Sequence, residues 1–283
     1  MSAGESEQKI PEKKRRGRRR KPRPLGKNGK EISASAAKLR LLKRLRCTLK
    51  FEKELWIQGA KLIAGVDEVG RGALFGPVVA AAVILDPTFR IRGLRDSKLL
   101  EPEVRERLAK KIREHCIAYA IASVDSARID EINIYWASKQ ALCEAVRQLP
   151  IKPDHVLVDA FKIDAECPQT PIIHGDALSA SIAAASIIAK VERDSWMRNY
   201  DLEYPLYGLA SNKGYSTPRH KAVLREHGPS PLHRQSFAPV WMANAPPPAM
   251  QDLLMFEEVP EAMEAELGEI ELLEVQSAVA GSD

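Results

Sequence analysis

A mixed α/β sheet flanked by helices, with a small helical extension toward the C-terminus, is the fold class predicted for this 283-residue chain. Three observations predict it. Short apolar runs bounded by glycine or charge read as buried strands, amphipathic stretches alternate with them, and a 45% hydrophobic composition supplies a substantial core.

Residues 1–34 are polar, basic and rich in Pro and Gly, so they cannot bury enough apolar surface to order themselves, and a disordered basic tail is expected. Leu39, Leu42, Leu45, Leu49, Leu55 and Trp56 then recur at mostly helical spacing, predicting an amphipathic helix over about 36–58 that leads into the first strand. Strands are expected at 62–67 and 78–85, then a helix at 103–115, a strand at 117–124 and a helix at 134–149. A strand at 156–158 and a short one at 171–173 follow, before a long Ala- and Ile-rich helix at 178–198. Ile182, Ala183, Ser186, Ile187, Lys190 and Val191 give that helix a narrow face for close packing on the sheet. Lys190, Glu192, Arg193 and Asp194 exclude it as a membrane span. Pro- and Gly-rich loops and a helix at 218–227 complete one folded domain over 35–240, with its core at about 62–200 and a helical part at about 201–240. Residues 241–283 are expected to be a disordered acidic tail.

Charge is distributed unevenly. Residues 1–50 carry 18 Lys and Arg against 4 acids, while residues 251–283 carry 10 acids and no base, so the formal charge of +5 conceals a near-neutral middle. The run KKRRGRRRK at 13–21 reads either as a nucleic-acid tether that neutralises phosphates or as a merely solvated tail. An acidic C-terminus competing for the basic arm would act as an intramolecular brake. Cys47, Cys116, Cys143 and Cys167 show no CxxC spacing, which suggests reduced thiols and a cytoplasmic setting. No apolar run long enough for a signal or a membrane span is present.

The motif GVDEVGRG at 65–72 places Asp67 and Glu68 at the end of an apolar strand and follows them with Arg71 between Gly70 and Gly72. Buried acids need a compensating cation, and bare glycine backbone beside a guanidinium lets a phosphate approach; a solvated Asp-Glu pair at a strand end is the bland alternative. Asp159 ends the run HVLV in the same way, and Asp176 precedes the long helix. Singly they read equally as turn or helix caps; together, acids at element tips converge on one edge of an open α/β sheet. Oxygen ligands alone point to Mg2+ or Mn2+ rather than zinc, with two ions acting on a phosphodiester. Strand alternation sends Asp67 and Glu68 to opposite faces, so Glu68 is expected at a strand end or bulge, or to contribute its backbone carbonyl.

These residues sit in motifs that resemble bacterial ribonuclease HII over roughly residues 50–240: GVDEVGRG, GPVVAAAVIL at 76–85, DSKLL at 96–100 and VDAF at 158–161. HGDALSASIAAASIIAKVERD at 174–194, NKGYST at 212–217 and GPSPLHRQSFAP at 228–239 continue the match. The resemblance implies an RNase H-like fold and an endonuclease that cleaves the RNA strand of RNA-DNA hybrids. It would also nick 5′ to ribonucleotides embedded in duplex DNA, as in ribonucleotide excision repair, leaving 3′-hydroxyl and 5′-phosphate ends. Metal-binding catalytic acids would be Asp67, Glu68, Asp159 and Asp176. Gly70, Arg71 and Gly72 would read the ribose 2′-hydroxyl with Tyr215, whose ring can also stack on a sugar, and Ser97 and Lys98 would meet phosphates. A monomer with no membrane partner is expected, and contact with a replication clamp is left open. Ala160 stands where the family usually has glycine, His174 where it often has lysine, and Ala73, Leu74 and Phe75 replace smaller residues. His174 is read as a structural histidine or a phosphate contact, and His220, His227 and His233 as structural or surface groups. A non-catalytic hybrid binder is the alternative from another class, and ribonuclease HIII the related family. The latter carries a folded N-terminal domain and usually a glutamate in place of Asp176.

Overall fold

The computed structural model describes residues 44–244. The basic tail, the first part of the helix expected at 36–58 and the acidic tail beyond 244 lie outside the described residues.

The chain runs through α1 (Lys50–Ile57), β1 (Ile63–Val69), β2 (Val78–Leu85), a 3-10 turn at Ser97–Leu99, α2 (Pro102–His115) and β3 (Cys116–Val124). It continues through α3 (Ser126–Arg147), β4 (His155–Asp159), β5 (Gln169–Ile172), α4 (Gly175–Leu178) and α5 (Ala180–Glu203). After a 3-10 turn at Pro205–Tyr207 come α6 (Leu209–Asn212), α7 (Pro218–His227) and α8 (Ala238–Asn244). The five strands form one sheet in the order β3-β2-β1-β4-β5. β1 pairs antiparallel with β2 and parallel with β4, so the sheet is mixed as expected.

β2 is buried along its whole length because helices cover both faces. Its even positions, Ala80, Ala82 and Ile84, join Ile129, Ala137, Ala141 and Leu142 of α3; its odd positions, Ala81 and Val83, join α2 and α5. This is the period-2 alternation of a strand sandwiched between helices. Gly65 marks the closest approach of α5, since a Cβ there would collide with the backbone of Ser181 and Ile182. A second cluster of Leu74, Phe75, Met197, Tyr207, Leu209, Leu224 and Val240 packs the C-terminal helical part onto the loop after β1.

Four expectations need correction. Residues 44–49 do not extend α1, because Thr48 pairs its backbone with the 178–180 segment: its N–H donates to Leu178 O at 2.9 Å and its carbonyl accepts from Ala180 at 3.0 Å. The helix expected from 134 begins at Ser126 and breaks at Asn133 (φ 65°, ψ 166°). There the Asn133 Oδ1 accepts from the N–H groups of Tyr135 (2.9 Å) and Trp136 (3.3 Å), recapping the second half, which is the part the periodicity found. The long helix is divided at Ser179, whose extended backbone separates α4 from α5 and whose Oγ caps the latter. Finally, α8 crosses the boundary expected at 240, because Val240 is fully buried. All four cysteines are free thiols, and no helix among the described residues is long and apolar enough to cross a membrane.

Candidate active site

β1 and β4 are parallel neighbours with Val66 opposite Val158, so the next residues, Asp67 within β1 and Asp159 at the end of β4, lie side by side where the pairing of these two strands stops. α4 follows β5 and carries Asp176, and the Gly175 N–H donates to Asp159 Oδ1 at 2.7 Å. From the 3-10 turn, Lys98 Nζ reaches Asp176 Oδ2 at 3.3 Å. Asp96 caps that turn by accepting from the Lys98 N–H at 2.9 Å. The fold therefore brings together three acids from separated segments of the sequence.

Glu68 does not occupy a bulge. β1 pairs regularly with β2 from Ala64 through Val69, leaving Glu68 opposite Ala80 on the face away from Asp67. Its Oε1 accepts from Arg71 Nη1 at 3.3 Å, and among the described residues its Oε2 is buried without a hydrogen-bond partner.

The electrostatics are those of crowded, dehydrated acids. Burial raises the Asp67 carboxyl well above the ordinary aspartate range, and Asp159, Glu68 and Asp176 raise it further while Lys98 opposes them. Asp159 is pushed up to about 7 by burial and then by Asp176 and Glu68, against the Gly175 N–H and Lys98. Glu68 is also raised by burial, with Arg71 as the main counterweight. Burial pulls the Lys98 ammonium down, but Asp176, Asp67, Asp96 and Asp159 together hold it above its usual range.

A hard divalent cation matches the donor set of Asp67, Asp159 and Asp176 in kind: oxygen ligands only, buried and mutually repelling. Among the described residues, however, no three acidic, His or Cys side chains are drawn into a ready ligand cage. Local donors hold the carboxylates instead, including the Glu68 N–H, which donates to Asp67 Oδ1 at 2.8 Å.

Gly70, Arg71 and Gly72 leave β1 beside this cluster. Gly70 has φ 92°, and any side chain there would strike the Arg193 guanidinium. A Cβ on Gly72 would meet no described atom within 4 Å, so that backbone is open to approach. Tyr215 arrives at the same place: Ala73 and Tyr215 form an antiparallel bridge, and the Leu74 N–H donates to Gly214 O at 2.8 Å. Lys190 and Arg193 lie 5.6 and 5.5 Å from its ring centroid. Ser97 is buried beside Lys98, and its hydroxyl meets Ser186 Oγ at 2.9 Å.

Two arginines to which the sequence alone assigned no structural role hold this region together. Fully buried Arg193 donates from Nε to Pro77 O (3.0 Å), from Nη1 to Lys213 O (2.8 Å) and from Nη2 to Phe75 O (3.0 Å). Fully buried Arg234 donates to Gly76 O (2.9 Å) and Arg71 O (2.8 Å). Burial, then the proximity of Arg193, brings Arg234 down to about 9. His220 and His233 form a buried pair at 3.0 Å. If His220 Nδ1–H donates to Tyr215 O, its Nε2 accepts from His233, whose Nδ1 then accepts from the Ser230 N–H. Both rings are thus neutral, in accord with burial lowering both and taking His233 to about 3. His227 stays at the surface near Glu226. His174 takes a left-handed conformation (φ 57°, ψ 37°) at the start of α4.

A family model described as Ribonuclease HII matches residues 64–240. The ribonuclease HII of Koribacter versatilis (strain Ellin345) is 70% identical over 230 residues, which is 81% of this chain and 91% of that protein. Among solved structures, the ribonuclease H2 from Pyrococcus horikoshii OT3 superposes with a TM-score of 0.58 at 28% identity, covering 65% of this chain and 97% of that one. The RNase HII in the PCNA:RNase HII complex from Archaeoglobus fulgidus gives 0.51 at 30% identity, covering 59% and 88%.

Proposed function

Because the chain belongs to the ribonuclease HII family, and is therefore an endonuclease acting on RNA-DNA hybrids, we propose that it also nicks 5′ to single ribonucleotides in duplex DNA, by two-metal hydrolysis. The observation that carries this reading is the meeting of Asp67, Asp159 and Asp176 at one edge of the sheet, next to the loop that pairs Gly70, Arg71 and Gly72 with Tyr215.

In this reading Asp67, Asp159 and Asp176 would hold Mg2+ or Mn2+ through their carboxylates, and Glu68, whose side chain leaves the strand on the opposite face, would contribute its backbone carbonyl. Such ions, when bound, lower the pKa of water and stabilise the leaving oxygen of a phosphodiester. The protein's own residues choose the bond. The open backbone at Gly72 and the Arg71 guanidinium approach the ribose and its phosphate, and Tyr215 packs on the sugar; the 2′-hydroxyl distinguishes RNA from DNA. Lys98, anchored on Asp176, faces a phosphate near the acids. Arg234 fixes the Arg71 carbonyl, and the neutral His220 fixes the Tyr215 carbonyl, so both readers are positioned from behind. A non-catalytic binder would gain nothing from buried acids that repel phosphates. The working form is proposed to be a cytoplasmic monomer whose catalytic domain runs from about residue 35 to the end of α8 at 244; a sliding-clamp partner is suggested by the archaeal complex alone.

The test is a cleavage map on a duplex with one embedded ribonucleotide and on an all-RNA hybrid, in Mg2+ and in Mn2+. Nicks 5′ to the ribonucleotide with 3′-hydroxyl and 5′-phosphate ends are expected. Intact embedded-ribonucleotide duplex in both metals, or 5′-hydroxyl products, would overturn the reading.

A further inference from the structure

Outside the acid cluster, the surface of α3 carries an arrangement that neither folding nor the proposed chemistry requires. Where the helix restarts at Asn133, Tyr135 and Trp136 are 42% and 55% exposed, an unusual position for two adjacent large aromatics. Their ring centroids stand 5.2 Å apart at 78°. One turn on, Lys139 Nζ sits 5.1 Å from the Tyr135 centroid and 5.3 Å from that of Trp136. The strip connects with the candidate site. Tyr135 lies 5.9 Å from the Phe161 ring, and the Arg71 guanidinium lies 5.6 Å above the other end of that contact, over Phe161. Phe161 is placed there by the turn that follows Asp159, in which its N–H donates to Asp159 O at 2.8 Å. Arg71, Phe161, Tyr135, Trp136 and Lys139 thus form one continuous track, with a cation at each end and aromatic faces between.

We infer that this track holds the sugar-phosphate backbone of the substrate duplex beyond the point of cleavage, with Tyr135 and Trp136 packing against sugars and Lys139 meeting a phosphate. Charge complementarity and continuity with Arg71 select this occupant: an anion repeats along a nucleic-acid backbone, and hydrophobic sugar faces lie between the charges. The nearest acid on this stretch of helix, Glu131, is neutralised by Arg128 at 2.8 Å. The inference rests on the proposed nuclease reading.

The experiment uses the full chain and two probes, an all-DNA duplex that cannot be cleaved and a duplex with one ribonucleotide, each long or trimmed from either end. Tyr135→Ala and Trp136→Ala are each expected to weaken binding and raise KM about tenfold on long duplexes, with the saturating single-turnover rate changed less than twofold. Trp136→Phe restores affinity. Trimming one particular end removes the difference from wild type. Lys139→Gln lowers the slope of log affinity against log salt by about one. Wild-type affinity when Tyr135→Ala and Trp136→Ala are combined, or a loss that persists whichever end is trimmed, overturns the track. Failure of wild type to cleave the ribonucleotide duplex overturns the nuclease reading instead, and binding of the all-DNA duplex then decides the track on its own.

Discussion

Two adjoining regions of the candidate site place charge under cover in opposite ways. Where β1 and β4 part, Asp67 and Asp159 share a field with Glu68 and Asp176, opposed mainly by Lys98 and Arg71. In the loops that carry Gly70–Gly72 and Tyr215, the buried charges are Arg193 and Arg234, whose hydrogen bonds run to the carbonyls of Arg71, Phe75, Gly76, Pro77 and Lys213. A guanidinium has a rigid fork of donors that backbone oxygens receive, fully at Arg193 and at all but the buried Nη2 of Arg234, so the loops are held largely from within the protein. A carboxylate can only accept, and four crowded together under cover repel one another. The first region therefore calls for a cationic ligand, and the second holds fixed the groups that would read the sugar.

The largest expected effect breaks the acid side. Asp67→Asn and Asp159→Asn should each lower cleavage by roughly a thousandfold, about 4 kcal/mol of barrier. Measured without divalent metal, the same variants should melt higher than wild type, because the substitutions remove repulsion among buried acids. An activity loss below tenfold would sink the assigned roles.

Next comes the loop side. Arg234→Met should cost about 2–4 kcal/mol in urea unfolding, since it strands the buried carbonyls of Arg71 and Gly76 and removes charge-assisted bonds. It should also relax the choice of nick position, visible as a spread of products on a single-ribonucleotide duplex. A stability change within 0.5 kcal/mol would mean that the loops are held by packing instead.

The pH dependence of stability sharpens the contrast without mutation. Asp67 and Asp159 are raised in the folded state, so the native protein keeps protons that the unfolded chain has already released. This contribution is fully present below the ordinary aspartate range and is lost as pH rises toward about 7, the folded value of Asp159. Metal-free protein should accordingly melt lower at pH 8 than at pH 5.5, and added Mg2+ should raise the melting temperature more at pH 8, where the ligands are ionised. A flat profile would remove the case for coupled acids.

The strand tips were legible because a carboxylate after an apolar run is conspicuous: Asp67 and Asp159 stand out from the sequence as site candidates. The sheet was legible for the same reason, and β2 with its eight apolar residues is the clearest case. Arg193 and Arg234 were not, because a charged residue in KVERD or LHRQ looks solvated until the carbonyls that receive it are brought from more than a hundred residues away. The track over α3 was hidden by the same limit: Tyr135 and Trp136 fall inside the helix expected at 134–149 with nothing in the sequence to mark them as exposed, and they lie just after the break at Asn133.

The smallest predicted effect tests how the acid side holds its backbone. Ala160 follows Asp159 with φ 62°, in the left-handed region, and the turn is closed by the Phe161 N–H on Asp159 O at 2.8 Å. A β-carbon there is strained by about 1–2 kcal/mol. Ala160→Gly relieves that strain but adds about 0.4–1 kcal/mol of unfolded-state entropy. The net gain should be about 0.5 kcal/mol, read as a small rise in the urea midpoint with an unchanged slope. Ala160→Val should destabilise by more than the glycine stabilises, because a branched side chain resists positive φ most strongly. If glycine destabilises the protein, then contacts of the Ala160 methyl hold the turn that joins Asp159 to Phe161, and the acid side resembles the loop side in being packed into place.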